Sequence, residues 1–125
     1  MDTPPIVCDM TTARDTPEER LAEYRRLFGE ALTGRERTAG GIRFRFRAGD
    51  GVEEWVRDLA AREKACCAFF TFEVTAPGDE VIWDAAAPDD AGPILEEFYL
   101  LPETAVGPAE LLRRMEERGL RIHQG

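Results

Sequence analysis

The hydrophobic residues of this chain follow two different spacings, which alternate along its length. Four segments carry apolar side chains three or four positions apart, the spacing of one face of an α-helix. Three others alternate apolar and polar residues or are rich in aromatic residues, as half-buried strands are. The predicted helices begin near residues 17, 52, 91 and 108, and the predicted strands cover 42–47, 69–75 and 80–85. The predicted order is therefore α-β-α-β-β-α-α.

This order predicts an α+β fold. We expect a two-layer sandwich in which a small, three-stranded, mostly antiparallel sheet carries helices on one face. The length and hydrophobic content suit a single domain over residues 1–125. Residues 1–13, which include Pro4 and Pro5, are expected to be an extended lead-in. Residues 104–125 are expected to be a C-terminal helical appendage, and its amphipathic helix is a candidate contact for a homodimer.

The first helix has the clearest predicted boundaries. Thr16 and Glu19 have the spacing of a capping box, and Pro17 suits the first helical turn. Gly34 is a typical residue for a C-terminal cap, so the helix is predicted to reach it.

The charge of the chain limits the classes of partner. Its formal net charge is −9 and its pI is about 4.7, whereas nucleic acids and anionic membranes bind clustered positive charge. No hydrophobic run reaches the roughly 18 residues of a membrane span. The first residues lack the basic region and apolar core of a secretory signal. We expect a cytoplasmic protein with no nucleic-acid or membrane partner.

Reactive side chains are concentrated where the second predicted helix meets the next strand. Cys66 and Cys67 are adjacent there, and Glu63 lies one turn before Cys67 on an otherwise apolar helix stripe. Cys8 is the remaining cysteine. An odd number of cysteines in a reducing compartment favours free thiols, metal ligands or a catalytic thiol over a disulfide framework. A disulfide between the adjacent pair would close a strained ring and is not expected.

Cysteine thiolates bind soft ions such as Hg(II), Cu(I), Zn(II) and As(III). Successive helical side chains diverge by about 100°, so Cys66 and Cys67 can share an ion only if the backbone bends between them. A helix-to-strand junction offers such a bend. Cys8 is the natural third ligand, and Glu63 is a candidate oxygen ligand or a group that supports the ligands. The predicted metal site is therefore Cys8, Cys66, Cys67 and Glu63.

Other uses of these residues stay open. The two thiols lie at the C-terminal end of a helix, where the helix dipole disfavours an unaided thiolate and a bound cation would stabilise it. The first alternative is a cysteine-dependent enzyme, such as an oxidoreductase, lyase or transferase. The second is a non-catalytic interaction domain whose cysteines only fill the core, because free cysteine is often buried. His123, the only histidine, is expected to lie in the tail, away from the site.

These motifs resemble those of an uncharacterised family of small bacterial proteins over residues 6–100. The shared pattern is, in order, Cys8-Asp9, a helix, and Glu63-x-x-Cys66-Cys67-x-Phe69. Related segments are appended to mercury-resistance-type transcription regulators. The usual signature of the family is Cys-Cys-Pro-Phe, and Ala68 stands here where the proline would be. The resemblance implies an association with thiol-reactive metals and favours the three cysteines acting together.

The hypothesis from the sequence is a protein that binds a soft metal or metalloid, with mercury, arsenic(III), copper(I) or zinc as candidates. Its role would be that of a sensor, carrier or resistance accessory. Its expected partner is the ion itself or a small thiol-reactive ligand.

Overall fold

The computed structural model describes residues 6–124, with side chains as far as Ile122, so residues 1–5 of the predicted lead-in lie outside the described chain. The helices are α1, Pro17–Ala31; α2, Val52–Cys66; α3, Gly92–Leu100; and α4, Pro108–Glu117. The strands are β1, Val7–Met10; β2, Leu32–Arg37; β3, Gly41–Arg47; β4, Thr71–Thr75; β5, Glu80–Ala86; and β6, Arg121–Gln124. Short 3₁₀ turns, Asp89–Ala91 and Leu101–Glu103, precede and follow α3.

The described strands form two sheets. One is antiparallel, with the strand order β2-β3-β5-β4, and the other is a parallel pair of β1 and β6. The α+β class is confirmed. The predicted three-stranded sheet is wrong in detail because it lacked β2, and the β1–β6 sheet was not predicted.

The boundary between α1 and β2 explains one of these differences. The capping box is confirmed at the start of α1, where the Glu19 N–H donates to Thr16 Oγ1 at 3.1 Å. The helix ends at Ala31, however, and Leu32 pairs with Phe46 of β3 instead of continuing to a cap at Gly34. Leu32 fits the helical spacing of the residues before it, so the local pattern does not mark the end. Pairing with β3 decides it.

Helices cover one face of the four-stranded sheet. The buried side chains of β3 and β5 on that face are Ile42, Phe44, Phe46, Val81, Trp83 and Ala85. The ring centroid of Phe44 lies 5.2 Å from that of Phe28 in α1 and 5.1 Å from that of Phe98 in α3. On the opposite, half-exposed face, Arg43 forms an ion pair with Asp84 at 2.7 Å. The alternation of the strands therefore separates an aromatic core from a charged surface.

The C-terminal segment is anchored by a buried charge. Glu97 of α3 is 0% exposed, and both of its carboxylate oxygens accept hydrogen bonds from Arg114 of α4 at 3.0 Å. Arg118 adds an ion pair at 2.9 Å. The chain then turns at Gly119, with φ of +102°, and β6 places Ile122 opposite Cys8 of β1. This segment thus covers the region around the first cysteine.

The two arginines are predicted to act redundantly on Glu97. Arg114→Ala and Arg118→Ala should each lower the free energy of unfolding by about 1 kcal/mol, since both arginines are partly exposed and one cation remains. The double variant should lose about 3 kcal/mol, more than the sum, because it leaves the buried carboxylate without a cation. Urea unfolding measures these values. Arg113→Ala, on the exposed side of α4, is the control. A loss in the double variant equal to the sum of the two single losses would contradict the prediction.

Candidate functional site

The junction between α2 and β4 sends the two adjacent cysteines in different directions. Cys66 is the last residue of α2, and Cys67 caps the helix with φ of −116° and ψ of 73°. The Cys67 N–H donates to the carbonyl oxygen of Glu63 at 2.7 Å. Lys64 holds the following turn by donating to the carbonyl oxygen of Phe70 at 2.6 Å. The chain leaves the helix between the cysteines, yet this does not bring their sulfurs to one point.

Cys67 faces β1, where it forms a disulfide with Cys8. The Cα atoms of the two residues are 4.3 Å apart. Free thiols were expected, and the structure differs because β1, which pairs with β6, lies against the end of α2. The odd number of cysteines contained no information about that contact. Cys8 is 9% exposed and Cys67 is 2% exposed, so the bond lies at the edge of the core.

Cys66 keeps a free thiol on another side of the junction. Its side chain is 7% exposed. Its sulfur lies 3.8 Å from Nη2 of Arg20, and it lines a separate cavity together with Asp15 and Arg62. Of the four residues predicted as a metal site, the structure groups Cys8, Glu63 and Cys67, whose donor atoms lie within 4.8 Å of one another. Cys66 is not in that group.

Glu63 is the only carboxylate in the group, and its side chain is 15% exposed. The hydroxyl of Tyr24 donates to its Oε1 at 2.6 Å, and its Oε2 lies 3.2 Å from the sulfur of Cys67. A disulfide sulfur carries no proton, so in this contact only the carboxyl group can donate. Burial raises the pKa of Glu63, and this effect outweighs the opposing influence of Arg20 and Tyr24.

Arg20 and Tyr24 of α1 complete the polar environment of Glu63. Arg20 is 4% exposed, and its Nε and Nη2 donate to Asp15 at 2.6 and 2.8 Å. Its Nη1 lies 3.5 Å from Glu63 Oε2. The hydrogen bond from Arg20 lowers the pKa of Asp15, which therefore stays ionised and neutralises the guanidinium. Burial and the Glu63 charge raise the pKa of Tyr24 well above its usual value, so its hydroxyl remains a donor.

Arg20 and Tyr24 were not predicted as site residues. Tyr24 lies on the apolar stripe of α1, and Arg20 lies one turn before it on the same stripe. A charged residue on an apolar stripe is the same signal that singled out Glu63 on the second helix. The presence of two such residues, of opposite charge and on the apolar stripes of different helices, could therefore have been used to predict this contact. Each of them needs a partner when it is buried.

A mostly apolar cavity of about 110 Å³ adjoins the disulfide. Cys8, Cys67 and Glu63 contribute to its wall, and most of the remaining lining consists of aliphatic and aromatic side chains from α1, α3, α4 and β6. The segment that was expected to be an appendage thus closes part of this cavity.

His123, the histidine expected in the tail, is described only by its backbone. The backbone of His123 pairs with Asp9 in the β1–β6 sheet, and its side chain lies outside the described structure.

Within residues 6–124, none of the helices has the combination of length and hydropathy needed to cross a membrane.

No known family model, curated protein or solved structure matches the chain. The resemblance to the Cys-Cys-Pro-Phe proteins therefore stays a prediction, and a proposal about function depends on the geometry of the site.

The raised pKa of Glu63 predicts a specific pH dependence of stability. Above its usual pKa of 4.5, the unfolded chain loses this proton while the folded protein keeps it, so the free energy of unfolding falls as the pH rises. Glu63→Gln lacks this contribution. The free energy of unfolding of the wild type, minus that of Glu63→Gln, should therefore decrease as the pH rises from 4.5. The decrease should stop above the raised pKa of Glu63 in the folded protein.

Urea unfolding of the disulfide-bonded proteins across this pH range measures the difference. Glu54→Gln, at an exposed position of the same helix, is the matched control for the loss of one carboxylate. A difference between wild type and Glu63→Gln that is constant with pH would contradict the prediction.

Proposed function

We propose that the reduced protein binds a soft metal or metalloid ion through Cys8 and Cys67, with Glu63 as an oxygen ligand. The observation that supports this proposal is the grouping of these three donors within 4.8 Å. Thiolate bonds of about 2.3 Å allow two sulfurs on one ion to lie at most about 4.6 Å apart. Two cysteines with Cα atoms 4.3 Å apart can reach this arrangement when the disulfide is reduced.

The charge of the site favours a cation. Asp15 neutralises Arg20 through two hydrogen bonds, so the guanidinium leaves no net charge beside the site. Glu63 and two thiolates then carry up to three negative charges. Thiolates select soft ions over magnesium or calcium, and coordination itself removes the thiol protons. Mercury, trivalent arsenic, copper(I) and zinc are the candidates.

The proposal restricts the ligands to the residues that lie together. Cys66 was part of the hypothesis from the sequence, and its sulfur contacts Arg20 on another side of the junction. Oxidation of Cys8 and Cys67 to the disulfide removes both thiolates from coordination. A site that binds in one oxidation state and releases in the other suits a sensor, a carrier or a resistance accessory.

To test the ligand set, the protein is first reduced with a phosphine. It is then titrated with mercuric ion and, separately, with arsenite. Thiolate absorption and native mass should show one ion per chain. Cys8→Ser and Cys67→Ser should each weaken binding by more than about 100-fold, since even groups that only support metal ligands contribute 10- to 100-fold. Cys66→Ser is the matched control and should bind like the wild type.

The disulfide-bonded protein should not bind either ion. Absence of binding in the reduced wild type would reject the proposal. Equal weakening of ion binding in all three cysteine variants would show that Cys66 is also a ligand. That result would contradict the proposed ligand set of Cys8, Cys67 and Glu63.

A second candidate function is thiol–disulfide exchange, which the contact between Glu63 and Cys67 favours. Cys8 is the more exposed of the two residues, so a thiolate of a substrate dithiol would attack there. The attack forms a mixed disulfide and releases Cys67 as a thiolate, which takes a proton from Glu63. The second substrate thiol then displaces Cys8, giving the substrate disulfide and the reduced protein.

This activity is tested by the reduction of a small disulfide, such as hydroxyethyl disulfide, with dithiothreitol as the reductant. The protein should accelerate the reaction, and Cys8→Ser or Cys67→Ser should abolish the acceleration. Glu63→Gln should lower the rate by about 10²- to 10⁴-fold, the usual contribution of a positioned acid. Cys66→Ser is again the control, and a rate equal to that of dithiothreitol alone would reject this candidate.

A further inference from the structure

The cavity beside the two sulfurs has a composition that a site for a bare ion does not need. Its polar lining residues, Glu63, Arg20 and Tyr24, are joined to one another by the contacts described above. Most of the remaining lining is apolar. A hydrated or purely inorganic ion gains nothing from such a surface, whereas an organic group gains by leaving water.

The number of available sulfurs points in the same direction. Trivalent arsenic forms three bonds. Cys66 does not supply a third sulfur beside Cys8 and Cys67, because its sulfur lies against Arg20 on another side of the junction. An arsenic atom that already carries one carbon substituent has two bonds left for sulfur. The pair of cysteines satisfies those two bonds. The carbon substituent takes the third position, which Glu63 would hold on a bare ion, and needs an apolar space next to the sulfurs.

We infer that the ligand of this site is a trivalent arsenical, or a similar soft trivalent element, that carries one small organic group. The two thiols of Cys8 and Cys67 displace two hydroxyl groups from it as water, forming two sulfur–arsenic bonds without any change in oxidation state. The organic group occupies the apolar cavity. This inference rests on the proposed function and specifies its substrate class.

The size of the cavity limits the organic group to a small alkyl group or a single ring. An apolar cavity of about 150 Å³ binds benzene in another protein, and the cavity here measures about 110 Å³. Leu112 and Met115 of α4, which form part of its wall, are only half-buried. They can therefore shift outward to admit a ring, whereas the fully packed aromatic core beneath them cannot.

The test compares phenylarsine oxide, methylarsine oxide and arsenite as probes of the reduced protein. Each affinity is measured in competition with dithiothreitol, a dithiol that has no cavity, so that the intrinsic preference of sulfur for each probe cancels. We expect phenylarsine oxide to bind roughly 10- to 100-fold tighter than methylarsine oxide on this scale, as burial of a ring-sized apolar group provides.

A cavity-filling variant connects this preference to the structure. Leu112→Phe should reduce the preference for phenyl over methyl at least about tenfold, and arsenite binding should be unchanged. Leu112→Met, which keeps the side-chain volume, is the matched control and should behave as the wild type. Because Leu112 is half-buried, both variants should fold, which circular dichroism and urea unfolding check.

The outcomes separate this inference from the proposed function. Equal relative affinities for the phenyl and methyl probes would overturn the inference, as would equal weakening of all three probes by Leu112→Phe. In either case binding that depends on Cys8 and Cys67 would leave the proposed function standing. Failure of every probe to bind the reduced wild type would overturn both.

Discussion

The arrangement of the site depends on the burial of an arginine and a glutamate, Arg20 and Glu63, between α1 and α2. Arg20 and Glu63 each lie on the inward side of their helix, and each would be costly to bury alone. The hydrogen bonds from Arg20 to Asp15 and from Tyr24 to Glu63 satisfy most of the polar atoms in the contact. These contacts fix the Glu63 carboxylate against the sulfur of Cys67. The raised pKa of Glu63 follows from the same burial.

The chemistry of the sulfurs follows from the end of α2. Consecutive helical side chains point about 100° apart, and the chain leaves the helix only at Cys67, so Cys66 and Cys67 face different surroundings. One lies beside a guanidinium, and the other meets β1 next to a carboxylate and an apolar cavity. The adjacent cysteines are therefore two different groups. The pair with shared chemistry is formed by residues 59 positions apart in the sequence, Cys8 and Cys67.

The C-terminal segment completes the site through tertiary contacts. Arg114 and Arg118 fasten α4 to the buried Glu97, and β6 then pairs with β1. This pairing places the strand that carries Cys8 and also closes the cavity beside it. This segment was expected to be an appendage because the sequence of its amphipathic helix shows an apolar face without showing what covers it. The charged residues that anchor it look like ordinary surface residues in the sequence.

The sequence by itself determined the elements with strong local signals. The capping box at Thr16 and Glu19, the alternation in β3 and the end of α2 near Glu63 were all predicted from side-chain type and spacing. The tertiary structure decided the polar edge strand β2, the β1–β6 pair and the partner of each cysteine. The physical reason is that spacing along a chain reports which side of an element is apolar. Which distant residue lies against that side depends on how the elements pack, and that information is spread over the whole sequence.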